Sequence, residues 1–305
     1  MLNLKYDYAG CVKSSEKAAW TLDEVMPVGT RLDFDKPFLP ERLARTSHLS
    51  FLDDQERLKL NHITSNSYLN LFGFVEEYIL HMAIQHAQAE MFGNHDALRA
   101  LTRFADEELK HQALFKRYRD AFDQGFGHRC EVLENASDIA GVVLSKSPIA
   151  VVVLTLHIEL MTQDHYVGSV QGDDKLDPFF AKLLRNHWME ESQHARIDAL
   201  ELDGLASVAT AEVKAKALED YLAIGGAFDG LLKAQAEMDV RSLSKALSRT
   251  FNADEVAALV ASQHQSYRYT FLVSGMRHGT FVEHFTSVFG ESGAKSLSEV
   301  AQALS

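Results

Sequence analysis

The sequence predicts an all-α protein built on a bundle of four long helices, and three observations carry that reading. Proline is scarce, at 5 of 305 residues, while Ala, Leu and Glu, which favour helices, are abundant. No stretch of useful length alternates apolar and polar residues as a half-buried strand would. Side chains that cap helices stand repeatedly at the head of long apolar segments.

Residues 1–52 hold Pro27, Pro37 and Pro40 and no sustained periodicity, which predicts an irregular arm with a short helix or two. Asp53-Asp54 caps the next segment, which extends to Gly93. From Tyr68 to Ala83 it is apolar on nearly every face, the mark of a helix inside a protein. Gly93-Asn94 ends it, and Asp96 is the expected N-cap of a helix at about 97–121. Residues 122–135, with Gly125, Gly127 and Cys130, predict a loop, and 136–146 a short helix. Ser147-Pro148 sets a cap before a proline at the first helical position and opens a helix to about Gly172. Asp177-Pro178 repeats the signal for a helix to about Gly204. Two long patterns follow. One spans about 210–247, with a kink expected at Gly225-Gly226. The other spans about 253–287, where Asn252 and Glu255 have capping-box spacing. The expected organisation is a single domain over 1–305: core helices in about 54–204, the irregular arm 1–52, and auxiliary helices in 205–305.

Charge and composition exclude several classes. The net charge of −13, with no basic cluster, argues against a nucleic-acid partner. Cys11 and Cys130 form neither a disulfide framework nor a metal knuckle and fit a reducing compartment. Met1 to Asp7 lacks the apolar run of a secretory signal. The longest apolar run, Pro148 to Leu156, falls far short of the ~20 residues that cross a membrane. The expectation is a cytoplasmic protein with no membrane partner. Gly225, Gly226 and Gly230 lack dinucleotide-loop spacing, and no strand precedes them.

The motif that carries chemistry occurs twice. Glu108-x-x-His111 and Glu191-x-x-His194 each place a carboxylate and an imidazole on one helix face. A single such pair is common by chance. Here each copy follows, some thirty residues on, a glutamate set in an apolar run: Glu76 or Glu77 before the first, Glu159 before the second. Glu77 is preferred because it shares a face with Asn70 and His81 and its spacing matches the second half better. A carboxylate buried in such a run costs several kcal/mol unless a cation compensates it. One glutamate from each of two helices plus one Glu-x-x-His from each of two others is the ligand set of a ferritin-like dimetal site. Four carboxylates balance two divalent ions, and oxygen and imidazole ligands suit iron, with manganese as the alternative. Glu107 and Glu190, just before the motif glutamates, are placed to hold His194 and His111 across the pseudo-twofold, unless they face solvent.

The two copies differ in one place. Phe104 stands four residues before Glu108, whereas His187 stands four before Glu191, so His187, Glu191 and His194 share one face. The set Glu77, Glu108, His111, Glu159, His187, Glu191 and His194 resembles that of the p-aminobenzoate N-oxygenase family of diiron enzymes, which carry one extra histidine one turn before the last Glu-x-x-His. The resemblance spans about residues 60–200. It implies a ferritin-like fold, two iron ions, His187 as a seventh ligand, and oxidation of a small organic substrate, such as an amine, by O2 with electrons from an external donor, a reductase or ferredoxin. Thr155, Thr162, Gln163 and Tyr166 are candidates for the pocket lining or for ordinary buried contacts, and His81 for a group just behind the ligands. Three other readings use the same ligands: a ferroxidase or iron store, a tyrosyl-radical protein using Tyr166 or Tyr78, and a metal-stabilised binding protein. Residues 205–305 are open between covering the pocket mouth and forming a homodimer contact.

Overall fold

The structure, a computed structural model, describes residues 6–305. Of the stretch that argued against a secretory signal, residues 1–5 lie outside the described residues. Among the described residues there is no strand, and no helix is long and apolar enough to cross a membrane.

The arm carries three short helices, α1 (Tyr8–Ala18), α2 (Leu22–Val25) and α3 (Glu41–Ala44). Four long ones follow: α4 (Asp54–Ala89), α5 (His95–Phe126), α7 (Pro148–His165) and α8 (Pro178–Val208), with the short α6 (Ala136–Leu144) between α5 and α7. α4 pairs with α5 and α7 with α8, each as a hairpin, and the pairs meet through α5 against α8 and α4 against α7. The long passage from α5 to α7 is the crossover of a ferritin-like bundle. Outside it lie α9 (Ala211–Leu247), α10 (Ala253–Arg268), the short α11 (Ser274–Met276) and α12 (Gly279–Ala303).

The caps act as the side chains dictate. The Asp53 carboxylate accepts from the Glu56 amide, and the Glu56 carboxylate accepts from the Asp53 amide. Ser147 and Asp177 cap α7 and α8 ahead of their prolines, and Asn252 with Glu255 forms the box on α10. α4 is apolar on so many faces because it is covered on both sides, by α5 and by α9. Every residue from Leu60 to Phe72 is buried. Its buried polar groups are bound to the auxiliary helices: Ser67 donates to Asp239 on α9 at 2.7 Å, and Thr64 to Gln263 on α10 at 2.5 Å.

The elements depart from expectation in five places. Asn94, not Asp96, caps α5, because its side chain reaches the Asp96 and Ala97 amides. α5 continues to Phe126 and ends where Gly127 takes φ 85°, a backbone glycine adopts without strain. Gly225-Gly226 do not kink α9, which packs against α4, α7 and α10 along its length. The 253–287 pattern is broken. α10 runs into a π turn at Tyr269–Val273, and a new helix starts after His278 and is interrupted at Gly290 (φ 69°). A second π turn, Tyr166–Val170, ends α7.

The break after α10 brings the Gly275 backbone against His157. A Cβ at Gly275 would lie 2.1 Å from the His157 ring, which is itself fixed by a 2.7 Å hydrogen bond between Nδ1 and the Tyr221 hydroxyl. Gly275→Ala is therefore expected to destabilise the fold by about 1–3 kcal/mol, the cost of overpacking a full core. A denaturant midpoint that does not move would show that the contact relaxes freely.

Candidate metal centre

The ligand-type side chains converge in the middle of the four-helix core. α4 supplies Glu76, α5 Glu108 and His111, α7 Glu159, and α8 His187, Glu191 and His194, all buried. They form two groups whose donor atoms lie within 4.8 Å of one another: Glu76, His111, His187 and Glu191 in one, Glu108, Glu159, Glu191 and His194 in the other. Glu191 belongs to both. Its Oε1 is 2.5 Å from His187 Nε2 and 3.2 Å from His111 Nδ1, and its Oε2 is 2.7 Å from His194 Nδ1. Glu108 Oε1 also reaches toward both sides, 3.0 Å from His194 Nδ1 and 3.8 Å from His111 Nδ1. Glu76 Oε1 lies 3.1 Å from His187 Nε2.

Glu77 is corrected by this geometry. It is partly exposed, and the adjacent Glu76 is the α4 carboxylate in the group. A step of one residue turns a side chain about 100° around a helix, so only one of two adjacent glutamates can face the core. The neighbours that favoured Glu77 face away from the site. His81 is exposed, with Nδ1 2.7 Å from the Glu77 carbonyl, and Asn70 bonds Arg119 and the Leu133 carbonyl.

The imidazoles are held from behind by the carboxylates one position before the motif glutamates. His111 Nε2 is 2.9 Å from Glu190 Oε2, and His194 Nε2 is 2.9 Å from Glu107 Oε2. Each therefore presents Nδ1 to the site. These carboxylates are tied in turn. Lys110 donates to Glu190 at 2.5 Å, and Gln193 donates to Glu107 at 3.1 Å. Ser15 of α1 also donates to Glu107, at 2.5 Å, and receives Arg103 at 2.6 Å. The Trp20 indole stacks on the outer face of His111, with the Lys110 ammonium 4.1 Å from its ring centroid. The arm is thus part of the site's wall.

The two copies are asymmetric where the sequence is. Phe104 stacks on His194 with ring centroids 3.9 Å apart, whereas His187 enters the first group as a donor. Phe72 and Phe115 pack edge-on against His187 and fix its plane.

The donors fit a pair of cations better than they fit one another. Glu76 Oε2, both Glu108 oxygens and His111 Nδ1 are fully buried and make no well-aligned hydrogen bond, although Glu108 Oε1 and His111 Nδ1 lie 3.0 and 3.2 Å from His194 and Glu191. Polar atoms left so cost several kcal/mol together. Burial, then Glu108, pushes the Glu76 carboxyl up to about 8, and burial, then Glu191, pushes Glu159 well above the carboxylate range. Burial opposes charge on His111 and His194, but Glu191 and the other carboxylates outweigh it and raise both well above ordinary histidine. Against its own burial, Glu191 is held well below its usual range by His187 first, then by His194 and His111.

Two nearby groups escaped the sequence reading. Asp198, one turn beyond His194, is fully buried with both oxygens unpartnered, and burial raises its carboxyl well above the usual range. The continuing spacing Glu191, His194, Asp198 was the signal for it. Trp20, in a segment without periodicity, gave none. The four pocket candidates are buried or half-buried polar contacts. Thr155 and Thr162 donate back to α7 carbonyls, Gln163 donates to the Trp188 carbonyl, and Tyr166 stacks on Trp188.

Two outcomes follow. Glu76→Gln is expected to lower metal content well below that of the unaltered protein, and Glu77→Gln to leave it unchanged, by elemental analysis. Metal affinity is also expected to rise with pH. Glu76 and Glu159 are held in the neutral form, mainly by burial, and the carboxylates keep His111 and His194 charged, so arriving cations must displace several protons. Affinity should therefore fall by at least tenfold per unit as pH drops. Metal uptake in weak buffer that releases no proton would contradict this.

No protein-family model matches the chain, and no curated protein does. Among solved structures it is similar to an R2-like ligand-binding oxidase with aerobically reconstituted Mn/Fe cofactor, with 14% identity over 88% of this chain and 94% of that one and a TM-score of 0.45. A point mutant of such an oxidase gives 14% identity, 88% and 95% coverage and a TM-score of 0.43. The likeness is loose, and the functional reading rests on the chain's own residues.

Proposed function

We propose that the protein is a non-haem dimetal oxygenase that binds two iron ions, or an iron and a manganese, and uses O2 to oxidise a small organic substrate, with N-oxygenation of an amine as the reaction. The observation that carries it is the pair of buried groups sharing Glu191, with four orphaned donor atoms among them. When bound, two redox-active ions supply the electrons that reduce O2 and direct its oxidising power at the substrate.

The chain's residues do the rest. Glu191 belongs to both groups, and Glu108 Oε1 reaches toward both, so these two carboxylates would hold a pair of ions together. Glu107 and Glu190 fix the Nδ1-facing orientation of His194 and His111 and raise their donor strength. His187 gives the first group two nitrogens against one in the second, so two ions bound there would differ in electron density. That inequivalence, together with the resemblance to the amine N-oxygenases, favours attack on a nitrogen lone pair over hydroxylation of carbon. The packed aromatic wall of Phe72, Phe104, Phe115 and Trp20 keeps bulk water from the ligands. The electrons come from an external donor, a reductase or ferredoxin.

Iron-loaded, chemically reduced protein is expected to consume O2, and His187→Ala to retain two metal ions while losing substrate oxidation at least tenfold. Two bound ions without O2 consumption would leave a metal-stabilised binding protein. A stable radical signal centred on Tyr78 or Tyr166 in paramagnetic resonance would point to the radical class instead.

A further inference from the structure

The first part of the arm lies on the seam between the two motif helices. α1 packs across both α5 and α8, and α2 follows it onto the same two helices. Three of its contacts reach the ligands or the groups that hold them. The Ser15 hydroxyl donates at 2.5 Å to Glu107, the carboxylate behind His194. The Trp20 ring stacks on His111 itself. The Trp20 indole N–H donates at 3.1 Å to the carbonyl of Asn186, the residue before His187. The segment thus grips all three histidines, directly or through one neighbour.

This segment is held less firmly than the arm beyond it. α1 has 11 residues, and a helix that short is marginal in water without a surface to pack on. The side chains it buries are small: Cys11, Val12 and Ser15. Its outer ties are ion pairs with exposed members, Glu16 with Arg99 and Asp23 of α2 with Arg117, which add little to stability. Further on, Phe38 is fixed in the core, stacked on Phe180 and edge-on to Phe122. Between the two stretches stand Pro27, Val28 and Gly29. Val28 is 83% exposed, and Gly29 takes φ 84°, which glycine adopts without strain. Polar ties on one side and an exposed turn before a fixed anchor are the features of a unit that opens locally.

The ligands need such an opening. None of the seven is more than 2% exposed. A hydrated ion cannot reach side chains so enclosed until some element moves. Lifting residues 6–26 uncovers Glu107 and the outer face of His111 while the four long helices stay in place. We infer that this segment is a lid over the entrance by which metal ions reach the centre, and that bound metal holds the lid down. The coupling runs both ways. Ions that fix His111 and His194 in the orientation gripped by Trp20 and Glu107 also strengthen that grip. The inference rests on the metal-centre reading and not on the oxidation proposed for it.

Cys11 reports on the lid. It is buried in α1, and burial pushes its thiol up to about 11, so it reacts with iodoacetamide only when the segment lifts. The chain's other cysteine, Cys130, lies between α5 and α6 and is the internal reference. Alkylation of both is followed by peptide mass spectrometry in the full chain, metal-free and with Fe2+ in the absence of O2, and Fe2+ uptake is timed in the metal-free chain. Metal is expected to slow Cys11 by about tenfold or more and to affect Cys130 far less. Uptake is expected to level off, as Fe2+ is raised, at the rate at which Cys11 reacts with saturating reagent. Ser15→Ala, which removes one buried hydrogen bond of the lid, should raise both rates together by about threefold or more. Trp20→Phe should do the same and serves if the first variant misfolds. Cys11 alkylated equally fast with and without metal, or uptake that keeps rising past the Cys11 rate, overturns the lid and leaves the metal centre standing. No uptake at all overturns both.

Discussion

Seven carboxylates and imidazoles stripped of water at the centre of a helical bundle set the terms for the rest of the molecule. Each would cost several kcal/mol if left unpaired, and mutual pairing leaves four atoms unsatisfied. The fold meets this by layers. Glu107 and Glu190 hold the imidazoles from outside, Lys110 and Ser15 hold those carboxylates, and Arg103 holds Ser15. An arm that looks dispensable in sequence closes this network: α1 brings Ser15, and the stretch after it brings Trp20. What remains unmet inside is donor capacity aimed at two points, which is what two cations would satisfy.

The auxiliary helices follow from a second demand. A four-helix core apolar on all sides of α4 and α7 needs cover, and α9 lies against both while α10 and α12 close around it. This cover is attached by buried polar links rather than by grease alone. Asp239 on α9 accepts from Ser67, Gln235 and the Tyr267 hydroxyl. The break between α10 and α12 places Gly275 against His157, and α9 with α6 leaves an apolar chamber open at the surface. Residues 205–305 thus cover the bundle.

How much of this was legible in the sequence depends on the kind of signal. The motif pairs and Glu159 stood out because charged residues at helical spacing inside apolar runs are costly and so rarely idle. The roles of Glu107 and Glu190 followed from their adjacency to the ligands. Glu76 against Glu77 was misjudged. The choice rested on neighbours at helical spacing, Asn70 and His81, that turned out to serve the surface and a loop, and adjacent glutamates differ only in a rotation that packing decides. Helix ends set by side-chain caps were readable, while the π turns and the break before α12 were not, since they answer to contacts between residues over a hundred positions apart. Asp198 continues the helical spacing of Glu191 and His194 and was legible there, whereas the meaning of Tyr78 lies in a missing partner, which no linear pattern records.

The central claim is that the two groups hold two ions at once. It is tested most directly by anomalous diffraction at the iron edge from crystals of iron-loaded protein. The account predicts two peaks roughly 3.5–4 Å apart, one among Glu76, His111, His187 and Glu191 and the other among Glu108, Glu159, Glu191 and His194. A single peak, or none within reach of these side chains, would contradict it.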